Sequence, residues 1–380
     1  MKIIVAPDKF KGSLTCFEAS KSIADGIAHI YNGIDVLQFP MADGGDGFSS
    51  VMQYYFKTID NKCAAQDPLG RTMEAHYQWN NENKTAIIEL AVTSGLVLLN
   101  KKEQNPLNTS TFGTGLQLQD AINNGAEKII LGIGGSATND AGMGILSALG
   151  FQFLDSNEHL LLPCGKNLLL IEKIILPSTI PAIKIEIACD VQNIMYGPNG
   201  AAYIYGPQKG ANEQEVKQLD EGLKHFASVL YKHTGRNISH IPGTGAAGGI
   251  AAGLMSFFDV SLTEGTKMII EASGIKNELS NTDLLITGEG KIDHQSKEGK
   301  VVGEIAQLGI QHKIPVVAYC GITTLNQEEA KELGLNFTWP IADDKNDIES
   351  SIKNAGVFLQ NKTMATLPSI MALLSGNKSL

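Results

Sequence analysis

At 380 residues, the chain is longer than a single hydrophobic core usually accommodates, so we expect two domains. Hydrophobic residues make up 43% and charged residues 18%, a balance that is typical of globular proteins and excludes a largely disordered chain. The formal net charge is -10 and the chain has no long run of lysine or arginine, so we expect no nucleic-acid partner.

The cysteines and the start of the chain bear on the cellular compartment. The five cysteines are far apart and form no C-x-x-C pair, which argues against a disulfide framework or a structural zinc site. The opening MKIIVAPDK reads as a strand that enters a loop, and the apolar runs are too short or too interrupted for a signal peptide or a membrane span. We therefore expect a cytoplasmic protein that has no membrane partner.

The first sixty residues alternate between strand and helix patterns. Residues 2–6 predict a buried strand, and Thr15 with Glu18 forms a capping box that predicts the start of a helix. Residues 35–39 predict a second strand, which a glycine-rich loop and a helix near 47–57 follow. This order of elements predicts a parallel, doubly wound α/β sheet.

The pattern then changes and later resumes. The middle of the chain predicts short β segments at 62–90, a helix near 110–124, a strand at 128–133, a helix at about 141–149 and a strand at 183–189. The last part predicts a strand over DLLIT from 283, a helix at 300–309, a strand over IPVVAYC, and helices at 326–333 and 347–360. We therefore expect a discontinuous domain made of residues 1–62 and 262–380, with a second α/β domain at 63–261 inserted into it.

Two loops follow the first two predicted strands. Lys9, Lys11 and Ser13 come after the first strand and before a helix, which suits a phosphate or a carboxylate; the alternative is a solvated surface loop. Asp43 and Asp46 lie among three glycines after the second strand, which suits a hydrated Mg²⁺ or a substrate hydroxyl. Here the alternative is a tight turn in which Asp46 caps the next helix.

A third glycine-rich loop, GIGGSATNDAG from residue 132, follows a predicted strand and opens a helix. Small residues let backbone N–H groups face an anion, and the start of a helix adds a favourable potential. Gly134 and Gly135 would supply N–H groups, while Ser136, Thr138 and Asn139 would add side-chain hydrogen bonds. We expect phosphate or carboxylate binding here, with close packing of helix on strand as the alternative.

Further polar residues follow two later strands. Asp190 ends an apolar strand, where a carboxylate faces a crevice, and Lys209 lies in a nearby glycine-rich stretch. Gly288, Glu289 and Lys291 belong to the loop GEGKID, which Asp293 closes and which we expect to follow a strand. That loop combines carboxylates for a metal with a lysine for a phosphate, and a surface turn held by ion pairs is the alternative.

One motif points elsewhere. The sequence GTGAAG at 243–248 fits the G-x-G-x-x-G pattern of dinucleotide-binding folds. The preceding residues, NISHIP, make a poor buried strand, and the fingerprint requires strand, turn and helix together. The motif is therefore better explained by a helix start that touches ATP or by close packing than by a nicotinamide cofactor.

Taken together, the loops resemble the bacterial-type glycerate kinase family. The matching segments, in the order that the family has them, are APDKFKGSLT at 6–15, MADGGDG at 41–47, GIGGSATNDAGMG at 132–144, ACDVQN at 188–193, GPNGAA at 197–202, GPQKGA at 206–211, PGTGAAGG at 242–249 and TGEGKID at 287–293. The chain departs from the family by having Ile194 and Met195 where Pro-Leu is usual. The resemblance implies a flavodoxin-like domain joined to a distinct α/β domain, and ATP-dependent, Mg²⁺-dependent phosphorylation of D-glycerate to 2-phosphoglycerate.

The roles of individual residues rest on chemistry and not on the resemblance. Phosphoryl transfer requires positioning and neutralisation of charge. We expect Asp190 to act as the base or to orient the hydroxyl group of the substrate, and Lys9, Lys11 and Lys291 to bind phosphates or the substrate carboxylate. We expect Mg²⁺ to be held by Asp293 together with Glu289 or Asp43.

Other functions stay open on the sequence alone. A kinase that forms 3-phosphoglycerate, or one that acts on another small hydroxy acid, would use the same residue types. An NAD-dependent dehydrogenase is supported only by the isolated G-x-G-x-x-G, and a non-catalytic protein that binds a small anion is a third possibility. The sequence leaves open whether the protein is a monomer or a homodimer.

Overall fold

The computed structural model describes residues 1–45, 47–297, 300–342 and 348–376. The chain divides into two compact units, each with its own core. Unit one comprises Met1–Asp43 and Thr266–Leu380, and unit two comprises Gly44–Gly265.

The regular elements are as follows. The strands are β1 (Lys2–Val5), β2 (Asp35–Gln38), β3 (Ile59–Gln66), β4 (Thr72–Asn80), β5 (Thr85–Glu89), β6 (Lys128–Gly132), β7 (Gln152–Leu154), β8 (Lys173–Ile175), β9 (Lys184–Ala188), β10 (Asp259–Thr263), β11 (Leu284–Ile292), β12 (Val316–Thr323) and β13 (Phe337–Pro340). The α-helices are α1 (Cys16–Ile30), α2 (Phe48–Phe56), α3 (Ala91–Ser94), α4 (Phe112–Asn123), α5 (Met143–Ala148), α6 (Ala201–Tyr205), α7 (Glu213–Thr234), α8 (Ile250–Met255), α9 (Gly265–Ser273), α10 (Val301–His312), α11 (Gln327–Glu332), α12 (Ile348–Lys353) and α13 (Ala355–Gly376).

Unit one is built on a parallel sheet whose strand order is β13-β12-β11-β1-β2. Numbered within this sheet, the order is 2-1-3-4-5, which is the order of flavodoxin-like folds. Ile3, Ile4 and Val5 of β1 are fully buried, because the two faces of such a sheet are both covered. The predicted flavodoxin-like, doubly wound sheet is confirmed, and its topological switch point lies between β1 and β11.

Helix α1 begins as the sequence predicts. The backbone N–H of Glu18 donates to Oγ1 of Thr15 at 3.2 Å, and the backbone N–H of Thr15 donates to Oε2 of Glu18 at 2.8 Å. These two bonds satisfy N–H groups that would otherwise lack partners at the start of the helix. The capping box therefore fixes where the loop after β1 ends.

Unit two contains a mixed sheet whose strand order is β10-β9-β6-β5-β4-β3. Strands β10, β9, β6 and β5 are parallel, while β4 and β3 are added as antiparallel neighbours. The short segments that the sequence predicts at 62–90 correspond to β3, β4 and β5. Strands β7 and β8 form a small separate antiparallel sheet.

Several boundaries differ from the prediction. We placed the first domain boundary near residue 62, whereas the division between the units falls after Asp43, because α2 packs on β4 and β5 of unit two. The segment predicted as one helix at 347–360 is divided between α12 and α13. The long helix α7 was not predicted. No helix in the described part of the chain has the length and apolar character that crossing a membrane requires.

Candidate functional site

Unit one gathers charged side chains at the carboxyl ends of β1, β2 and β11, beside the switch point. We call Asp8, Lys9, Asp43 and Glu289 the acid–lysine cluster. The chain after β1 continues along β11, since the backbone N–H of Asp8 donates to the carbonyl of Gly288 at 2.8 Å. The Nζ of Lys9 lies 3.1 Å from Oδ1 of Asp43 and 4.0 Å from Oδ1 of Asp8. One lysine therefore bridges two carboxylates.

Asp8 has the most perturbed carboxyl group of this cluster. It is only 5% exposed, and one of its oxygens accepts the backbone N–H of Lys9 at 2.7 Å. Burial raises the pKa of Asp8 to about 7, and the charges of Asp43 and Glu289 act in the same direction while Lys9 opposes them. A carboxyl group whose pKa lies near neutrality can exchange a proton under physiological conditions.

Glu289 is the second buried carboxylate of the cluster. Its Oε1 accepts a hydrogen bond of 2.6 Å from the hydroxyl of Ser296, which is itself fully buried. Burial raises the pKa of Glu289, Asp43 and Asp293 add to that effect, and the bond from Ser296 and the charge of Lys300 lower it. Glu289 thus shares one acidic neighbour, Asp43, with Asp8.

Strand β11 extends further than the sequence predicts. Gly288, Glu289 and Lys291 were expected in a loop, but they belong to β11, where Gly288 pairs with Tyr319 and Lys291 with Ile322. A Cβ on Gly288 would lie 2.4 Å from the carbonyl oxygen of Tyr319, so close packing of the strands explains this glycine. Its predicted role in substrate binding stays a prediction.

The other predicted residues of unit one are more exposed. Lys11 is exposed, and Ser13 donates its hydroxyl to the carbonyl of Phe10 at 3.0 Å, which closes the turn after β1. Lys291 is exposed on 54% of its side chain, and its Nζ lies 2.9 Å from Oδ2 of Asp293. These residues surround the acid–lysine cluster without being fixed by burial.

The predicted magnesium ligands do not form a closed metal cage. Across the described residues, no three Asp, Glu, His or Cys side chains converge on a point where they could hold a metal ion. Asp46, one of the predicted ligands, lies outside the described residues. Because Mg²⁺ usually takes only one or two carboxylates and completes its shell with water and substrate phosphates, Asp43, Glu289 and Asp293 still have suitable chemistry for it.

In unit two, the glycine loop (residues 134–142) follows β6 and leads into α5. The sequence predicts that an external anion sits at the start of this helix, but the chain's own Asp140 occupies that position. Oδ2 of Asp140 accepts the backbone N–H groups of Thr111 and Gly144 at 2.8 and 3.2 Å, and Oδ1 accepts that of Gly142 at 3.2 Å. Asp140 is fully buried, and burial raises its pKa while these bonds lower it. The Asp140 carboxylate therefore already offsets the partial positive charge at the start of this helix.

The glycine loop has a buried half and an accessible half. Thr138 and Asn139 are fully buried and Ser136 is 8% exposed, whereas Gly134 is partly exposed and Gly135 exposed. The amide oxygen and nitrogen of Asn139 make no hydrogen bond within the described part of the chain. In this conformation a ligand would reach the backbone of the two glycines and not the predicted side chains.

Lys209 lies on the buried side of the glycine loop. Its Nζ donates to the carbonyl of Thr138 at 2.6 Å and to the hydroxyl of Ser136 at 3.3 Å, and the residue is 3% exposed. Burial lowers the pKa of Lys209 to about 7, an effect that the charge of Asp140 opposes. The predicted phosphate-binding lysine therefore points into the protein and holds the loop.

Asp190 lies at the carboxyl end of β9, as the sequence predicts. Its Oδ1 accepts the backbone N–H of Gly265 at 2.8 Å, and the residue is partly exposed. A Cβ on Gly44 would lie 3.4 Å from Oδ2 of Asp190, and one on Gly134 would lie 2.3 Å from the Cα of Gly45. Glycines thus let the backbone approach closely around one face of Asp190.

The G-x-G-x-x-G motif has a packing role. No strand precedes it, since residues 235–238 are irregular and a turn follows them. A Cβ on Gly245 would lie 2.1 Å from the carbonyl oxygen of Ile194, and one on Gly248 would lie 2.3 Å from that of Thr138. The segment packs against the glycine loop, and the strand that the dinucleotide fingerprint requires is missing from it.

Neither Asp8 nor Asp140 is among the site residues that the sequence predicts. Asp8 could have been found by the reasoning that selected Asp190, because it is also the first acidic residue after a buried strand. The full environment of Asp140 could not, because two of its hydrogen bonds come from the backbone N–H and the hydroxyl of Thr111, which is distant in the sequence.

Comparison with known proteins places the whole chain in one family. The model of the glycerate kinase family matches residues 3–371. A glycerate kinase from Halalkalibacterium halodurans is 37% identical, with 99% of each chain covered, and the glycerate 2-kinase of Escherichia coli K12 is 35% identical, with 93% of this chain and 94% of that protein covered.

A solved structure agrees with this result. The crystal structure of a candidate glycerate kinase 2 from Salmonella typhimurium LT2 superimposes with a TM-score of 0.84 at 32% identity and covers 100% of both chains. The family match, the sequence identities and the fold lead to the same conclusion. The chain belongs to the glycerate kinase family and is a kinase.

Proposed function

We propose that this protein uses ATP and Mg²⁺ to phosphorylate D-glycerate on its 2-hydroxyl group. The name of the Escherichia coli relative, glycerate 2-kinase, supports the choice of substrate and position. The observation that carries the proposal is the acid–lysine cluster at the switch point of a flavodoxin-like sheet. Ligands of doubly wound sheets bind at this point, and the cluster combines a cation with carboxylates there.

The reaction makes limited chemical demands. The hydroxyl oxygen of glycerate forms a bond to the γ-phosphorus of ATP, the bond from that phosphorus to the bridging oxygen of ADP breaks, and the hydroxyl proton passes to a carboxylate. Little covalent chemistry is left to the protein, so catalysis depends on positioning and on neutralising charge. In our proposal Lys9 and Lys11 bind an anionic group of the substrates, and Lys291 adds a third cation.

Two carboxylates are candidates for the proton acceptor. Asp190 is our first choice, because it stands at a strand end among glycines that allow close approach. Asp8 is the second, because the pKa of about 7 that burial gives it suits proton transfer near neutrality. Measurement of kcat in Asp190→Asn and in Asp8→Asn distinguishes these two residues, because only loss of the proton acceptor should lower kcat by about 10²–10⁴-fold.

Asp293 together with Glu289 or Asp43 would hold Mg²⁺, with Asp46 as a further candidate. When bound, the ion would offset the negative charge of the phosphates during transfer. Lys9 lies close enough to Asp43 to keep that carboxylate in place before substrates bind. We also propose a cytoplasmic location, which the five free, buried cysteines support, since cytosolic proteins rarely form disulfides.

A coupled assay of ADP formation tests the proposal. Purified protein should release ADP only when ATP, Mg²⁺ and D-glycerate are all present, and omission of Mg²⁺ should abolish the reaction. Oxidation of D-glycerate with NAD would favour the dehydrogenase alternative, and binding of glycerate without turnover would favour an anion-binding protein. Fast ADP formation with another hydroxy acid and none with glycerate would refute the substrate assignment.

A further inference from the structure

A lysine is buried beneath the glycine loop of unit two without an acidic partner. Lys209 is 3% exposed, and its two hydrogen-bond acceptors, the carbonyl of Thr138 and the hydroxyl of Ser136, are both neutral. Within the described residues, no carboxylate lies at ion-pairing distance from its Nζ; the nearest charge that acts on it is that of Asp140, whose oxygens are bonded to backbone N–H groups.

This arrangement is costly for folding. Moving an ammonium group out of water without a paired carboxylate is unfavourable, which is why burial lowers the pKa of Lys209 to about 7. The same loop contains a second uncompensated group, the buried Asn139 amide, which has no hydrogen-bond partner among the residues that the structure describes. A methionine at position 209 would fill similar space at less cost, so stability does not explain the lysine.

The contacts of Lys209 do explain the shape of the loop. The hydroxyl of Ser136 lies 3.0 Å from that of Thr138 and 3.5 Å from the carbonyl oxygen of Ala247, so Lys209, Ser136 and Thr138 form one polar network. The network lies beside two strained residues, since Ala141 and Ala247 have φ of 50° and 51°. Non-glycine residues in that region cost about 1–3 kcal/mol each and persist only where their surroundings enforce them.

The anchored half of the loop continues directly into its accessible half. Gly135 is exposed and has φ of 69°, and it is followed by Ser136, the first residue that Lys209 holds. A phosphate or carboxylate bound over Gly134 and Gly135 would also lie near the buried ammonium group of Lys209. The low dielectric there strengthens the electrostatic attraction.

We propose that Lys209 is a positioning residue that holds the glycine loop in the conformation that binds an anionic group, either a phosphate of ATP or the carboxylate of glycerate. The inference rests on the proposed kinase function for the identity of these two anions. It differs from a direct phosphate contact, because the ammonium group acts through Ser136 and Thr138.

Calorimetric titration tests the inference without relying on turnover. Wild type, Lys209→Met and the control Lys217→Met, at an exposed position on α7, are each titrated with tripolyphosphate and with D-glycerate. We expect Lys209→Met to weaken the binding of one of the two ligands by about 10- to 100-fold, the range for a lost hydrogen bond to a charged group. The affected ligand identifies the anion that the loop binds, and Lys217→Met should bind both ligands normally.

Two further measurements separate positioning from a purely structural role. The melting temperature of Lys209→Met should be equal to or above that of wild type, and its KM for the affected substrate should rise more than its kcat falls. Ser136→Ala should weaken the binding of the same ligand. Combining it with Lys209→Met should lower the affinity little further, because both substitutions break one hydrogen-bond network. Ser136→Ala also serves as the test if Lys209→Met does not fold.

Three results would overturn the inference. These are unchanged affinity for both ligands in Lys209→Met, equal weakening of both together with a lower melting temperature, and additive effects of the two substitutions. Binding of neither ligand by wild type would also overturn it, since the glycine loop would then bind no such anion. Failure of the kinase proposal appears separately, as absence of ADP formation by wild type that binds these ligands.

Discussion

The two units place lysines in opposite electrostatic settings. In unit one, Lys9 lies between the carboxylates of Asp8 and Asp43, and opposite charges compensate each other near the surface. In unit two, Lys209 is more deeply buried, and its hydrogen-bond acceptors among the described residues are neutral oxygens. A compensated lysine can contribute to both stability and function, whereas an uncompensated one lowers stability, so its retention indicates function.

The carboxylates show a related contrast. Asp140 in unit two is fully buried and bonded to three backbone N–H groups, so it acts as part of the fold. Asp8 in unit one is almost as buried, but the only hydrogen bond that its carboxylate accepts within the described residues comes from the backbone N–H of Lys9. Burial alone therefore does not distinguish the two acids, whereas the number of hydrogen bonds to the carboxylate does.

The largest effect is expected at Asp190. Asp190→Asn should lower kcat by about 10²–10⁴-fold, because the amide cannot accept the hydroxyl proton, while KM for glycerate changes much less. The amide oxygen can still accept the N–H of Gly265, so the melting temperature serves as a control for folding. A magnesium titration separates a base from a metal ligand, since excess Mg²⁺ would partly restore only the latter. Near-normal kcat would leave Asp190 as a turn cap.

Asp8 should make stability depend on pH. Its pKa rises from 3.8 in the unfolded chain to about 7 in the fold, so folding favours the protonated acid. The stability that the protonated form contributes is fully present below pH 3.8 and is lost as the pH rises through about 7. Asp8→Asn removes this dependence, so its free energy of unfolding should exceed that of wild type by on the order of 4 kcal/mol at pH 8 and match it near pH 4.

Denaturant unfolding across this pH range measures the difference. Asp25→Asn is a matched control, because the Asp25 side chain is 48% exposed and pairs with Lys21 on the surface of α1. A gap between Asp8→Asn and wild type that stays constant from pH 4 to pH 8 would contradict the assignment of a raised pKa to Asp8.

Lys9 should matter more than Lys11. Lys9→Met removes a cation fixed by two carboxylates, and we expect kcat/KM to fall by about 10- to 100-fold, as for loss of a charge-assisted hydrogen bond. Lys11→Met should have a smaller effect, because Lys11 is exposed and less ordered by its surroundings. Steady-state kinetics with Lys21→Met as the surface control measure both effects. Equal values of kcat/KM in all three variants would indicate that the loop after β1 is a solvated surface loop that binds no substrate anion.

The smallest effect is expected at Lys291. Its ion pair with Asp293 is more than half exposed on the lysine side, so Lys291→Met should change the free energy of unfolding by less than about 1 kcal/mol. If Lys291 binds an anion, KM for ATP or glycerate should rise a few-fold at low salt and less at high salt. An unchanged KM at both salt concentrations would indicate that Lys291 only forms a surface ion pair with Asp293 and binds no substrate.

Much of the fold could be predicted from the sequence, because local patterns encode it. The apolar runs of β1 and β11 and the capping box of Thr15 and Glu18 indicate a doubly wound sheet and the start of α1. The extension of β11 through Ile292 could not be predicted, since its glycines and charges are typical of a loop and only pairing with β12 keeps them in a strand.

The candidate site was predictable at the level of loops and less so for side chains. Strand ends indicate Lys9 and Asp43 in unit one and Asp190 in unit two, because in each parallel sheet the topology brings such residues to one edge. The inward direction of Lys209 and the capping by Asp140 depend on contacts between segments distant in sequence. A sequence shows that a glycine-rich loop is present, but not which of its sides faces the ligand.

Phosphorus NMR of the reaction product tests the central claim most directly. Purified protein is incubated with ATP, Mg²⁺ and D-glycerate, and the phosphorylated product is compared with authentic 2-phosphoglycerate and 3-phosphoglycerate. We predict a single new phosphomonoester signal that coincides with 2-phosphoglycerate and grows as ATP is consumed. A signal at the position of 3-phosphoglycerate would contradict the proposed site of transfer, and consumption of no ATP would contradict the proposed reaction itself.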